Sequence, residues 1–452
     1  METLIDSLRI DALAFQTPLL SDDNSEAWVT AGELRARSEA WRERLAGPRM
    51  LMFHYISNTV EGVAQLLGAT FAGHVVALLD PKLPVHAKSD LAVRYNPGII
   101  LDNGTELVYN RPLALHSELA VLLSTSGSTG SPKFVRLSVN NLAFNARAIA
   151  EVLDIREPEV GSGHLPLHYS YGLSILTSHL SAGAPLHLTE KSFLDSDFWP
   201  QMKRWRIAHL PGVPFHYNIL RRFNFAKLDL PDLRVMTQAG GNLDLNVRKM
   251  AYDYMEARGG RFHIMYGQTE AAPRITTLSH EDFAEHAETV GPAIPGGRIA
   301  ITGTNGTPKV EGEVIYYGPN VMMGYAEKPE DLALGDELRG RLATGDIGRL
   351  DEEGRLTITG RIKRMGKIAG VRVNLDEVER VLSGLGEEFA VISKCEVLLL
   401  YHLPNANLDK LKERALKQLS DRFTLPKTAY RLREIAEFPL TSRDKIDYQA
   451  LS

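Results

Sequence analysis

Through the first two-thirds of the chain, short apolar runs alternate with longer stretches whose apolar residues recur at helical spacing. Residues 50–53, MLMF, read as a strand, and residues 59–72 read as a helix. Residues 75–79, VVALL, predict the next strand, and Asp-Pro-Lys-Leu-Pro at 80–84 predicts a turn. Apolar runs at 119–123, 233–237 and 261–264 repeat the pattern. The alternation predicts an α/β fold: a large, multi-layer N-terminal region with largely parallel sheets.

Between about residues 297 and 350 the pattern changes. Short alternating runs separated by glycine turns, at 298–301, 312–317 and 355–359, predict a β subdomain. After Arg361 comes a small α+β unit, with helices predicted over 376–382 and 408–423 and one strand over 389–401. A chain of 452 residues is too long for one ordinary core. The expected division is a large domain, residues 1–362, and a small one, residues 363–452.

Composition narrows the function. Charged residues make up 24% and hydrophobic residues 44%, as in ordinary soluble proteins. A net charge of −5 offers no basic face for nucleic acid. The single cysteine, Cys395, makes no internal disulfide and no cysteine-based zinc cluster, which fits a reducing cytoplasm. The N-terminus lacks the basic segment of a signal peptide. The apolar stretch 66–79 is interrupted by His74 and is too short to span a bilayer. None of the 14 histidines is read as a zinc ligand. Nothing in the pattern assigns an oligomeric state.

Chemistry concentrates in a few segments. Residues 124–133 read STSGSTGSPK directly after the apolar run 119–123. Gly127 and Gly130 let backbone approach a ligand closely. Ser124, Thr125, Ser126, Ser128, Thr129 and exposed N–H groups can donate to phosphate oxygens, and Lys133 adds positive charge. A polar linker would have the same composition, but the abrupt strand and the lysine favour a phosphate-binding loop. Pro132 and Phe134 exclude the GxxxxGK[ST] pattern, and GxGxxG has no match here. In MYGQTE at 265–270, Tyr266 offers a flat face for a purine and Gly267 follows it. Thr269 offers a hydroxyl, and Glu270 a hard carboxylate for Mg²⁺. Gly240, Gly241 and Asn242 leave open space beside a ligand. Asp346, in LATGD, can accept from two ribose hydroxyls, and Arg361 follows in Gly-Arg.

The loop at 125–133 resembles TSGSTGxPKG, the signature of the adenylate-forming superfamily: acyl-CoA synthetases, luciferases and peptide-synthetase adenylation domains. Phe134 departs from its final Gly. MYGQTE is similar to the family's YGxTE, LATGD to its TGD, and residues 360–379 to its GRxDxxIKxxGxRIxxxEIE. PLTSRDKID at 439–447 is similar to PxTxxGKxxR, with Asp444 and Tyr448 as departures. The resemblance runs from about residue 75 to 451. It implies an AMP-forming ligase that takes a carboxylic acid and Mg-ATP to acyl-AMP and pyrophosphate. The acyl group then passes to coenzyme A or to the phosphopantetheine of a carrier protein. No carrier-like segment follows residue 452, so a carrier is expected to be a separate partner.

The resemblance also assigns roles. The ATP-binding positions are Ser124 to Gly130, Lys133, Gly240, Gly241, Asn242, Tyr266, Gly267, Asp346 and Arg361. Lys445 would neutralise charge in the first half-reaction, with Thr269 and Glu270. Lys367 would serve the second, and Lys363 would be the hinge of a mobile C-terminal lid. His168, Tyr169, Ser170 and Tyr171 resemble the family's aromatic gate, and His216 falls in a second wall as a packed residue rather than a base. Ser170 stands where amino-acid activators place an Asp, which argues against a substrate ammonium. The surrounding aromatic and apolar residues predict an uncharged acyl or aryl body. Two other readings remain open: a catalytically silent nucleotide-binding protein on the same fold, and an ADP-forming phosphotransferase.

Overall fold

A computed structural model describes residues 3–109, 111–124, 133–223, 225, 228–302, 310–368, 371–394, 397–404, 407–423, 429–441 and 445–451, without the side chains of 363, 365, 367, 371, 372, 374 and 420–422. The chain forms two compact units: residues 1–298 with 316–342, and residues 299–315 with 343–452.

The first unit is built on two large sheets. In the seven-stranded sheet the spatial order is Gly324–Ala326, Phe134–Ser138, Leu119–Ser124, Val75–Leu79, Leu51–Tyr55, Ile99–Asp102 and Thr105–Val108. Its four middle strands, from Leu119–Ser124 to Ile99–Asp102, run parallel, and the outer pairings are antiparallel. Every residue of Leu51–Tyr55 and Val75–Leu79 is buried, as strands covered on both faces must be. The eight-stranded sheet runs Arg274–Leu278, Arg261–Gly267, Val235–Gln238, Ile207–Gly212, Val160–Gly163, Leu186–Leu188, Pro18–Ser21 and Val29–Thr30. It too is parallel except at its two edges.

Helix placement follows local signals. Thr59 caps helix Val60–Phe71 by accepting from the Gly62 N–H. Ser138 and Asn141 form a reciprocal capping box at the start of helix Val139–Leu153. That helix packs against helix Ser170–Ala182. Strand Arg261–Gly267 is longer than the apolar run predicts. Its extension through Tyr266 and Gly267 comes from antiparallel pairing with Arg274–Leu278, a long-range term that local pattern does not carry.

A four-stranded sheet, in the order Arg298–Ile301, Gly312–Tyr317, Arg341–Leu350 and Leu356–Arg361, accounts for the predicted β subdomain and lies mostly in the second unit. The rest of that unit is a hairpin, Met365–Ile368 with Val371–Asn374, a three-stranded sheet, and helices Leu375–Ser383 and Leu408–Arg422. Its core includes Val378, Leu382, Val391, Leu398, Leu400 and Leu411. The single strand predicted over 389–401 is instead two antiparallel strands, Phe389–Lys394 and Val397–His402, with Lys394 opposite Val397. Exposed Ser393 and Lys394 mark where the apolar alternation gives out. Among the described residues no helix is long and apolar enough to cross a membrane.

Candidate active site

Strand Leu119–Ser124 enters the Ser/Gly segment and strand Phe134–Ser138 leaves it, with Ser124 opposite Phe134. Both ends of the segment are therefore held at one place. Thr125, Ser126, Gly127, Ser128, Thr129 and Gly130 lie outside the described residues. Lys133 lies just before the returning strand, whose Val135 is opposite Tyr325. The Lys133 Nζ sits 3.4 Å from the centroid of the Tyr325 ring, a cation–π contact. The Tyr325 hydroxyl donates to Glu270 Oε1 at 2.7 Å. Burial first, and the Glu270 carboxylate next, push this phenol far above its ordinary range, so it stays a donor. Lys133, Tyr325 and Glu270 thus form one column joining two motifs far apart in sequence.

Next to Glu270, the buried Thr269 Oγ1 is 3.0 Å from Ser170 Oγ. Ser170 opens helix Ser170–Ala182, and Tyr169 is its N-cap residue. The Tyr171 hydroxyl lies 2.9 Å from Thr237 Oγ1, and the Tyr169 and Tyr171 rings meet edge-on at 6.3 Å. His168 is buried, with Nε2 3.8 Å from Asp80 Oδ2. Tyr266 is half-buried on its strand. Gly267 admits no side chain, because a Cβ would meet the Pro273 carbonyl oxygen at 1.9 Å. Gly240 has φ +86°, and the Gly241 carbonyl accepts from Gln238 Nε2 at 2.8 Å. The Asn242 Oδ1 accepts from Arg248 at 2.9 Å, which ties it to helix Leu245–Glu256. His216 stacks on Phe193, with centroids 4.4 Å apart, and burial lowers its pKa to about 3, so it is neutral.

The second unit carries its own pair. Asp346 and Arg361 are opposite each other on adjacent strands, and Arg361 Nε lies 2.8 Å from Asp346 Oδ1. Asp346 is buried, and its N–H donates to Thr344 Oγ1 at 3.1 Å. Around Lys445 the chain doubles back: the Thr441 N–H donates to the Lys445 carbonyl at 2.7 Å, and Leu440 bridges Ile446. Lys363 lies in the 3₁₀ turn Ile362–Arg364, and Lys367 is opposite Arg372 in the hairpin.

Comparison with known proteins fits these motifs. A family described as AMP-binding enzyme matches residues 108–326. The oxalate–CoA ligase of Arabidopsis thaliana is 32% identical over 318 residues, 68% of this chain and 59% of that protein. The whole fold matches the o-succinylbenzoate CoA synthetase of Bacillus subtilis, in a structure holding its acyl-adenylate intermediate, with a TM-score of 0.80 at 21% identity over 99% of this chain and 97% of that one.

The chain belongs to the adenylate-forming superfamily of AMP-binding enzymes.

Further similar proteins carry other names. The medium-chain fatty-acid–CoA ligase of Escherichia coli is 30% identical over 59% of this chain and 47% of that protein. ATP-bound MatB of Rhodopseudomonas palustris shares the fold, with a TM-score of 0.83 at 20% identity over 99% of this chain and 98% of that one. The matched stretch spans about half the length of the curated relatives.

Among the described residues, no group of three or more His, Cys, Asp or Glu is placed to hold a metal on its own. Glu270 with substrate phosphates fits Mg²⁺, an ion commonly held by one or two carboxylates plus phosphate oxygens. Two interior residues escaped the sequence reading. Tyr325 stands alone in Gly-Tyr-Ala, and only its position opposite Val135 brings it to Lys133 and Glu270. Arg274 opens strand Arg274–Leu278, all of whose residues are buried. The available signal was an arginine heading an otherwise uncharged strand.

Proposed function

We propose that the protein is an AMP-forming acid–thiol ligase. A carboxylate oxygen of the acid attacks the α-phosphorus of ATP, the bond to the β-phosphate oxygen breaks, and acyl-AMP and pyrophosphate form. A thiolate then attacks the acyl carbon, and the C–O bond to AMP breaks. The thiol is that of coenzyme A or of the phosphopantetheine on a separate carrier protein. The observation that carries this reading is the Lys133–Tyr325–Glu270 column, which couples the lysine of a phosphate loop to a carboxylate suited to Mg²⁺. The names of the relatives, each an acid–CoA ligase, agree with it.

In this reading Lys133 and the 124–130 segment hold the phosphates, and Tyr266 stacks on adenine. Asp346, fixed by Arg361, accepts from the ribose hydroxyls. Thr269, held by Ser170, presents its hydroxyl to the phosphoryl oxygens. Mg²⁺, held by Glu270, would spread the charge of the departing pyrophosphate. Lys445 would act in adenylation and Lys367 in thioester formation, with Lys363 as hinge between domains 1–362 and 363–452. An acid panel with Mg-ATP, scored for nucleotide product, tests the reading. AMP and pyrophosphate are expected. ADP would identify a phosphotransferase, and absence of turnover with every acid would identify a silent nucleotide binder.

A further inference from the structure

Three arginines are withdrawn into the interior of the first unit, and two of them are saturated with partners. Arg136 pairs with Glu337 and donates to the carbonyls of Met323, Tyr325, Leu334 and Gly335. Arg248 donates to the carbonyls of Leu243, Ala287 and Thr289 and to Asn242. Arg274 is 2% exposed and has no such shell. Its backbone carbonyl accepts from Asn145 at 3.2 Å and Asn320 at 2.8 Å, so the main chain is anchored. Its guanidinium lies 5.2 Å from the Tyr171 ring centroid, and its Nε has no hydrogen-bond partner. Among the described residues no carboxylate pairs with it. Burial lowers its pKa, and the groups that act against this are the phenols of Tyr171 and Tyr169.

Beside Arg274 lies a small cavity of about 20 Å³, lined mostly by apolar side chains, Met265 among them, together with Tyr171, Ser174, Thr237 and His179 and by no Asp or Glu. The lining residues adjoin the candidate site. Tyr171 follows Ser170, which meets Thr269; Thr237 leads to the Gly-Gly turn; Met265 precedes Tyr266. A buried cation without a counter-ion is costly, and a fold keeps one where a ligand supplies the anion. The reacting carboxylate would be a poor counter-ion, since it loses its charge when it becomes an acyl phosphate. A second carboxylate on the acid keeps its charge through both half-reactions.

We propose that the acid is a dicarboxylate, or an aryl equivalent, whose non-reacting carboxylate pairs with Arg274 in this cavity. This rests on the ligase reading. It replaces the expectation of an uncharged acyl body, and it keeps the expectation that the acid has no ammonium group.

The test compares matched acids: succinate with butyrate, glutarate with pentanoate, phthalate with benzoate. AMP formation is measured for the parent, Arg274→Met and Arg274→Lys. For the best pair the parent is expected to favour the diacid in kcat/KM on the order of 100-fold. Arg274→Met should bring the ratio near one, and Arg274→Lys should restore part of it. Equal or better use of the monoacids by the parent overturns the proposal, and that result needs no variant to fold. A ratio unchanged in a folded Arg274→Met protein also overturns it. If no acid is turned over, the ligase reading fails, and thermal shift with the diacids alone still decides the pairing. Stabilisation of the parent but not of Arg274→Met supports it, and no stabilisation of the parent counts against it.

Discussion

Arg364 in the second unit and Arg274 in the first are both withdrawn from water, and their surroundings treat them in opposite ways. Arg364 lies 2.6 Å from Asp376 and 2.6 Å from Glu379, with its guanidinium 3.9 Å from the Tyr448 ring centroid. Glu379 also accepts from the Val391 N–H at 2.7 Å and from the Tyr448 hydroxyl at 3.0 Å. Burial works against the Arg364 charge, but Glu379, Tyr448 and Asp376 more than offset it, and its pKa is held above the usual range. For Arg274 burial wins. The difference teaches how to sort buried charges. One with built-in partners fastens elements together, and one without them is kept for a ligand.

The largest expected effect sets the two units against each other in acid. The first unit buries His54, His164, His179, His187, His216 and His263. Burial, the leading cause in each, lowers His54 and His187 to about 4, His179, His216 and His263 to about 3, and His164 further below its ordinary value. These rings are neutral in the fold, whereas the unfolded chain binds their protons near pH ~6.5. Their contribution is therefore complete above that pH and is lost as pH falls toward the folded values. The second unit has one histidine, His402, and all four tryptophans lie in the first. Tryptophan fluorescence should report cooperative unfolding of the first unit between about pH 6 and 4. Native fluorescence persisting through pH 4 would break the contrast.

The next prediction separates catalysis from fastening within the second unit. Lys445→Ala should slow acyl-AMP formation by about 100-fold or more, as expected for losing a cation aimed at developing charge. It should leave stability and thioester formation from supplied acyl-AMP largely intact. Equal loss in both half-reactions without unfolding would sink the two-stage assignment of Lys445 and Lys367.

These residues differ in how far sequence alone could reach them. The strands at 75–79 and 119–124 were legible because burial on both faces leaves an unbroken apolar run. Asp346 and Arg361 were legible as motif residues, although their 2.8 Å contact depends on strand register. Tyr325 and Arg274 were not legible, because each acquires its meaning from partners on other strands and helices. Tyr448 was read only as a departure from a family pattern. Its seat on Arg364 and Glu379 gives a local reason for an aromatic hydroxyl at that position.

A paired substitution tests the sorting rule directly. Arg364→Met strands Asp376 and Glu379 without their cation and should cost about 3–5 kcal/mol. Arg274→Met removes a cation that meets the Tyr171 ring but pairs with no carboxylate among the described residues, so in the absence of substrate it should be close to neutral or stabilising. Urea unfolding followed by far-UV circular dichroism would compare the two. Comparable destabilisation by both would mean that Arg274 is held by the fold in the same way as Arg364.

The smallest effect probes how Arg364 and Glu379 share their load. Tyr448→Phe keeps a ring over the Arg364 guanidinium and removes only the hydroxyl that donates to Glu379. Glu379 still accepts from Arg364 and from the Val391 N–H, so its charge does not become unpaired. The expected cost is therefore that of one hydrogen bond, about 1 kcal/mol, rather than that of a broken ion pair. Val391 is a built-in reporter, because its amide ends on the same carboxylate. Amide exchange at Val391 should quicken by about fivefold, in proportion to that loss of local stability. A much larger change would mean that the three donors act as one cooperative unit. No change would mean that the ring alone, stacked on Arg364, keeps the segment carrying Lys445 in place.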